Sequence, residues 1–357
     1  CVINMHGLTR FQVGDDPEGA GYAGKRIEDL LSSTDNFFRP IDPQIGPDGA
    51  VWFGDWCNAL IGHMQYSQRD PNRDHVHGRL YRLVYKNRPL LTPVLQYGKS
   101  IEELLGQLDA YEQRTRYRAR RELRSRPQEQ VLSATEQWLA SEEPSPNRLC
   151  EALWLQESFR QIDPVLVERI MTCQEFNARA AAVHAVSNEY SRYPNIMELF
   201  RQAVNDPHSR VRLEAIRGLS FIRSAEAAEL ALQVTLHPMD YWTQYTLEHT
   251  LQALQPTVDA AEREGSFLAS QPESLREYYE TFKLEMGPGG EAVKPLKEAE
   301  DPQLSKTKRN AAIRTLARIS GGDIDRGQIV FSRVCAACHR VGDVGQDFGP
   351  RFELIGL

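Results

Sequence analysis

Apolar residues recur at helical spacing from about Tyr97 to Ser320, and the recurrence itself repeats. Five segments, RARREL, CEALWL, AAAVHAV, LEAIRGL and TLEHTL, align with Ala119, Ala152, Ala182, Ala215 and Glu248 in register, at intervals of 33, 30, 33 and 33 residues. That register position reads as the crossing point of two helices, with Leu, Ile or Val beside it on the same face. Second amphipathic helices, such as NIMELFRQAV and AAELALQVTL, lie between the segments. The dipeptides Asp163-Pro164 and Asp206-Pro207 read as helix starts, with Asp capping and Pro at the first helical position. A single helix pair cannot bury its apolar stripe, so the pattern predicts pairs stacked into a solenoid. A plain helical bundle is the alternative.

The pattern before residue 95 is different. In DGAVWFGDW, Pro47-Asp48-Gly49 reads as a turn, followed by a strand with Val51 and Phe53 on one face. In HGRLYRLVY, Leu80, Arg82 and Val84 alternate against Tyr81, Leu83 and Tyr85, which predicts a second strand. Two short strands joined by a long polar loop fit the outer part of a β-propeller blade. Beyond the helices, GPGGEAVKPLKEAEDP reads as a linker, KRNAAIRTLARI as a last helix, and Gly321-Gly322 as a domain border. The expected organisation is multidomain and mainly α: residues 1–95 the C-terminal piece of a β-propeller, 96–320 a HEAT-like α-solenoid, and 321–357 the first part of a truncated all-α c-type cytochrome domain.

Composition narrows the function. The 357 residues are 41% hydrophobic and 25% charged, with a formal charge of −7. An acidic balance argues against a nucleic-acid partner, and the Arg-rich RTRYRARRELRSR reads as a helix with a solvated face. No apolar run reaches the roughly 18 residues of a membrane span. The opening CVINMHG reads as the middle of a strand, so the chain is expected to be a fragment. A lipoprotein with Cys1 at its mature end is the alternative. Cys1, Cys57, Cys150 and Cys173 stand apart and read as small buried residues.

The sharpest chemical signal is DIDRGQIVFSRVCAACH. Cys335 and Cys338 lie at i and i+3, on one face of a helical turn, and His339 follows directly. Two thiols to add across two vinyl groups and one imidazole for iron make the attachment pattern of haem c. Gly327, Phe331 and Val334 fit the helix before such a haem, and the Pro350 carbonyl is placed to orient the imidazole of His339, the axial ligand. A zinc site would need a fourth ligand and usually a second paired motif. A thioredoxin-type pair would need a βαβ setting. All six Met residues lie upstream of the motif, so the sixth iron ligand is left open.

NDPHSRVRLEAIRGL closely resembles a HEAT repeat. FFRPIDPQIGPDGAVWFGDW, DHVHGRLYRL and CAACH, in that order, resemble the large membrane-bound dehydrogenases of planctomycetes and verrucomicrobia, over essentially the whole chain. The chain departs from that pattern at Cys57-Asn58 and Arg351-Phe352. The resemblance implies a propeller similar to that of soluble sugar dehydrogenases, with pyrroloquinoline quinone and Ca²⁺ in a propeller part outside this chain. It also implies electrons passing to the haem, either from the protein's own propeller or to and from a partner protein. Covalent haem attachment takes place outside the cytoplasm, so a periplasmic or cell-surface location is expected, with the export signal upstream.

Other residues able to do chemistry are Asp55, Asp74, His75 and His77; the favoured reading makes them a polar loop-to-strand junction held by Asp74 and Arg79. His63, His184, His208, His237 and His249 read as surface or packing residues, and Trp52, Trp56 and Trp154 as core. The competing functions are a protein-binding scaffold of propeller and HEAT repeats, with haem as a sensor or without catalytic role, and a lectin-like propeller.

Overall fold

The structure, a computed structural model, describes residues 5–17, 19–59, 70–71, 73–141, 143–286, 331, 340–341 and 344–345. It is about half helical. The chain divides into two units, Cys1–Asp259 and Ala260–Leu357.

The first unit opens with two small sheets. β1 (Gly7–Asp15) and β2 (Tyr22–Ser32) pair as an antiparallel ribbon, from Gly7 opposite Ser32 to Asp15 opposite Tyr22. Sequence reading found neither strand. Beyond Leu8 the ribbon is wet on both faces, and Lys25, Arg26, Glu28 and Asp29 blur its alternation. β3 (Pro40–Ile45), β4 (Val51–Asp55) and β5 (Arg79–Leu83) form an antiparallel sheet in sequence order, with Phe53 opposite Tyr81 and Asp55 opposite Arg79. The predicted turn joins β3 to β4. Gly49 takes φ +76°, which suits glycine, and the Asp48 carboxylate accepts from Ala50 N–H (3.1 Å) and Trp52 Nε1–H (3.2 Å). The second predicted strand is shorter than expected, ending at Leu83. Phe53 and Tyr81 stack at 5.3 Å, Phe38 meets both edge-on, and Leu8 closes this small core.

The helices follow. α1 (Ile101–Gly106) starts on a capping box between Ser100 and Glu103. Then come α2 (Gln113–Arg124), α3 (Gln128–Ala140), α4 (Pro146–Ser158), α5 (Pro164–Met171), α6 (Phe176–Asn188), α7 (Ile196–Val204), α8 (Ser209–Leu219), α9 (Ala225–Leu232) and α10 (Tyr241–Arg263). Ala119, Ala152, Ala182 and Ala215, the register positions of the first four units, are all completely buried. At the fifth unit the register is not kept. Glu248 is partly exposed, and α10 buries Thr243, Leu247, Thr250 and Leu251 instead. The Thr250 hydroxyl donates to the Ile216 carbonyl of α8 at 3.0 Å, so a small polar residue does there what alanine does elsewhere.

Asp163 caps α5 as its sequence suggests, accepting from Val165 N–H at 2.9 Å with Pro164 next. Asp206 does not cap α8. His208 does, Nδ1 accepting from Arg210 N–H at 3.1 Å. The Asp206 carboxylate instead takes both arms of buried Arg179 on α6, at 2.8 and 2.9 Å. That bidentate pair holds the Arg179 guanidinium above its ordinary pKa, against the burial that lowers it.

The ribbon and the helices of the first unit meet at Asp240. Its carboxylate caps α10 by accepting from Thr243 N–H (2.6 Å) and also accepts from Ala20 N–H at the ribbon's tip. Arg210 of α8 donates to the Ala20 carbonyl (3.1 Å) and lies 5.0 Å over the Tyr22 ring.

In the second unit, α11 (Glu273–Met286) buries Tyr279, whose ring meets Phe267 edge-on at 4.9 Å. Lys283 bridges Glu262 and Glu280, each at 2.8 Å. β6 (Arg340–Val341) and β7 (Val344–Gly345) form a two-residue antiparallel ladder. The expected linker, the last helix and the glycine border lie outside the described residues.

Candidate functional site

Cys335, Cys338 and His339 lie outside the described residues, as do Gly327, Val334 and Gly349-Pro350. Two described pieces flank the motif. Phe331 sits in a wide helical turn, and β6 begins at the residue after His339. Two thiols that can form thioethers and an adjoining imidazole suit a covalently held haem. Among the described residues no group of three or more His, Cys, Asp or Glu side chains could hold a metal ion.

Of the remaining candidates, Asp55 sits in a polar hub at the end of β4. Asp55 is buried and accepts three hydrogen bonds: Arg39 N–H (2.6 Å), Cys57 N–H (2.9 Å) and Arg79 Nε–H (2.6 Å). Arg79 also reaches Asp35 at 2.8 Å. The Phe37 N–H, then Arg79, pull the Asp35 carboxyl below its usual range. Burial opposes the Arg79 charge, yet its two carboxylate partners hold its pKa above the ordinary arginine value. Buried Arg39 spends its guanidinium on the carbonyls of Asn58 (2.9 Å) and Ala59 (2.8 Å) and on the His6 ring. These groups hold each other and the loop after β4, and the Asp55 side chain is fully closed off from solvent.

Asp74 is spent in the same way. It accepts from Val76 N–H (2.9 Å) and His77 N–H (3.0 Å) and meets His77 Nδ1 at 2.8 Å. Those two backbone donors, then the His77 ring, pull its carboxyl down to about 2. His75 is exposed and joins no cluster among the described residues. The structure therefore makes this stretch the junction that sequence suggested, with Asp74 turning the chain and Arg79 anchoring β5.

His184 on α6 meets buried Glu214 of α8 at 2.9 Å, and His208 stacks on Phe176 with centroids 3.5 Å apart. His63 lies outside the described residues. Trp52 is partly buried, but Trp56 and Trp154, expected in the core, are 47% and 38% exposed. Each carries an arginine over its ring, Arg73 at 5.5 Å and Arg120 at 5.4 Å. The cation keeps the indole face covered without burying it. Cys150 is buried, and desolvation pushes its thiol up to about 12. Cys57 and Cys173 are only partly covered, contrary to the reading of all lone cysteines as core.

Comparison with protein families gives two matches. Residues 5–87 match a domain of unknown function, DUF7133. Residues 164–252, from α5 into α10, match HEAT repeats. The second match and the stacked pairs agree, and this part of the chain is a HEAT-repeat array. None of the curated proteins matches the chain. No helix among the described residues is long and apolar enough to cross a membrane.

Proposed function

We propose that this chain belongs to an exported electron-transfer protein carrying one haem c at its C-terminal motif. The observation that carries the reading is the five-residue run Cys335 to His339. Each cysteine thiol would add S–H across one haem vinyl group, so attachment needs no outside oxidant, and His339 would supply the axial imidazole. Bound there, the group supplies one-electron chemistry at iron. In this reading the stacked HEAT array is a spacer between the β-rich section and the haem-bearing segment in the sequence, stiffer along its own length than a flexible linker. The finer reading follows from the resemblance: the β-rich section as the end of a β-propeller of the sugar-dehydrogenase type, residues 321–357 as the start of a c-type cytochrome domain, quinone and Ca²⁺ in a propeller part outside this chain, and a periplasmic or cell-surface location.

The test is the intact mass of the chain after co-expression with a c-type haem maturation system in an exporting host. The expected result is a mass increase of one haem that survives denaturation, still present in Cys335→Ala through the one remaining thioether and abolished by Cys335→Ala with Cys338→Ala. An unchanged mass in the parent chain overturns the proposal.

A further inference from the structure

α2, α4, α6 and α8 stand side by side, and each keeps one strip in solvent. The strips carry Tyr117, Arg121 and Arg124 on α2, Trp154 on α4, His184 on α6 and, half-covered, Arg217 on α8. Contacts across the helices join them into one surface. Arg120 of α2 lies over Trp154 of α4, Asn188 of α6 donates to Glu157 of α4 at 2.8 Å, and Arg217 donates to Asn188 at 3.3 Å.

The charge of this surface is unbalanced. α2 holds six arginines and one glutamate in twelve residues, in a chain whose formal charge is −7. The carboxylates beneath the surface are already committed. Buried Glu151 pairs with Arg116 (3.3 Å) and Arg120, and buried Glu214 pairs with Arg210, Arg217 and His184. Arg121 and Arg124 have no carboxylate partner among the described residues. They line a pocket of about 350 Å³ between α2 and α4 together with Tyr117, Trp154 and Leu155; Glu157, the one carboxylate in the lining, accepts from Asn188. A ring-lined floor beside two guanidinium groups that have no carboxylate partner, Arg121 lying 5.9 Å over the Tyr117 ring, suits a ligand that alternates carboxylates with apolar side chains.

We propose that this face of the array binds an extended acidic segment of a partner protein, with one apolar side chain seated between Tyr117 and Trp154. Packed helices stand roughly 8–10 Å apart, and an extended chain advances about 3.3 Å per residue, so about three residues pass each helix. A segment of about ten to twelve residues therefore reaches from α2 to α8. Its carboxylates meet Arg121, Arg124 and Arg217 in turn. The negative charge of the rest of the chain repels acidic proteins elsewhere, which confines them to this face. The inference goes beyond the haem reading and stands whether or not the chain carries haem.

The test is fluorescence anisotropy with the full chain and three labelled probes: a twelve-residue peptide with Glu at most positions and Phe at every third, its counterpart with Ser for Glu, and an oligothymidylate of twelve nucleotides. The Glu/Phe peptide is expected to bind at low salt and weaken as salt rises, the Ser/Phe peptide and oligonucleotide at least about ten-fold more weakly. Arg121→Glu with Arg124→Glu should weaken the Glu/Phe peptide at least about ten-fold, and Arg121→Gln with Arg124→Gln less. Arg88→Glu with Arg223→Glu, which changes net charge equally at exposed sites elsewhere, should leave binding within about two-fold. Equal binding of the Ser/Phe peptide, tighter binding of the oligonucleotide, or equal loss in both charge-reversed pairs overturns the proposal. So does sedimentation showing that the chain self-associates through this face, with the Arg121/Arg124 variant monomeric.

Discussion

The β-rich section and the helical array fold within one unit and are held by opposite means. The three-stranded sheet has a core of a few rings, Phe38, Phe53 and Tyr81, and leaves large apolar residues such as Leu80 in solvent. Much of its order passes through one carboxylate, Asp55, and one turn, Asp48. The array has a continuous core instead. It repeats a small residue at each helix crossing, and its buried charges, Arg179 with Asp206 and Glu151 with Arg116 and Arg120, sit inside that packing. A small core concentrates stability in few polar contacts, whereas a repeat spreads it over many similar interfaces.

The most severe test removes one buried carboxylate from each section. Asp206→Ala strands the Arg179 guanidinium in the array and should cost about 3–5 kcal/mol, lowering the midpoint of the main helical transition in circular dichroism. Asp55→Ala removes an equivalent group, but its effect should stay local. Hydrogen exchange is expected to quicken in β3, β4 and β5 while α6 and α8 keep their protection. Equal loss of protection across both sections would mean that the sheet and the array share one cooperative core.

Glycines give a smaller and sharper test. Gly218 on α8 faces the buried Phe200 ring and the Ser187 hydroxyl, and an added Cβ would fall inside contact distance of both. Gly218→Ala should cost about 1–3 kcal/mol. Gly24 in β2 has nothing within 4 Å of that position. Gly24→Ala should be neutral or stabilise by about 0.4–1 kcal/mol, through the unfolded chain. Thermal midpoints of the two variants check this, and a loss at Gly24 matching that at Gly218 would mean that the ribbon is packed.

The smallest effect is a titration. The folded Asp74 carboxyl ionises near 2, below its ordinary value, so its turn is favoured above the unfolded value of about 3.9 and that contribution is lost as pH falls toward 2. A carboxyl carbon resonance of Asp74 with its midpoint near 2 is expected in a proton-titration series. A midpoint at the ordinary carboxylate value would mean that the Val76 and His77 donors are not engaged.

How much of this the sequence revealed depended on the range of the interaction. Four alanines at near-constant spacing exposed the helix crossings because the crossing recurs in every unit. The fifth was misplaced because threonine does that work in α10, and no residue-type pattern marks it. Asp163 and Asp206 stand before proline in the same way, yet only the first caps. The partner of the second, Arg179, lies 27 residues away on another helix. The ribbon was missed because both its faces are wet, so its strands lack the alternation that burial imposes. Residue type alone points Trp56 and Trp154 to the core, yet arginine stacking lets both stay at the surface. The proposed haem motif is a run of five consecutive residues, so it can be read without knowing the fold.

The central claim is that those five residues hold haem covalently. The most direct measurement is a pyridine haemochrome spectrum of the protein made with a c-type maturation system, after acid–acetone extraction. The account predicts colour that stays with the protein, with the band positions of a haem joined by two thioethers. Haem that extracts into the solvent, or protein that never takes it up, would contradict the account and leave a HEAT-repeat scaffold without an electron carrier.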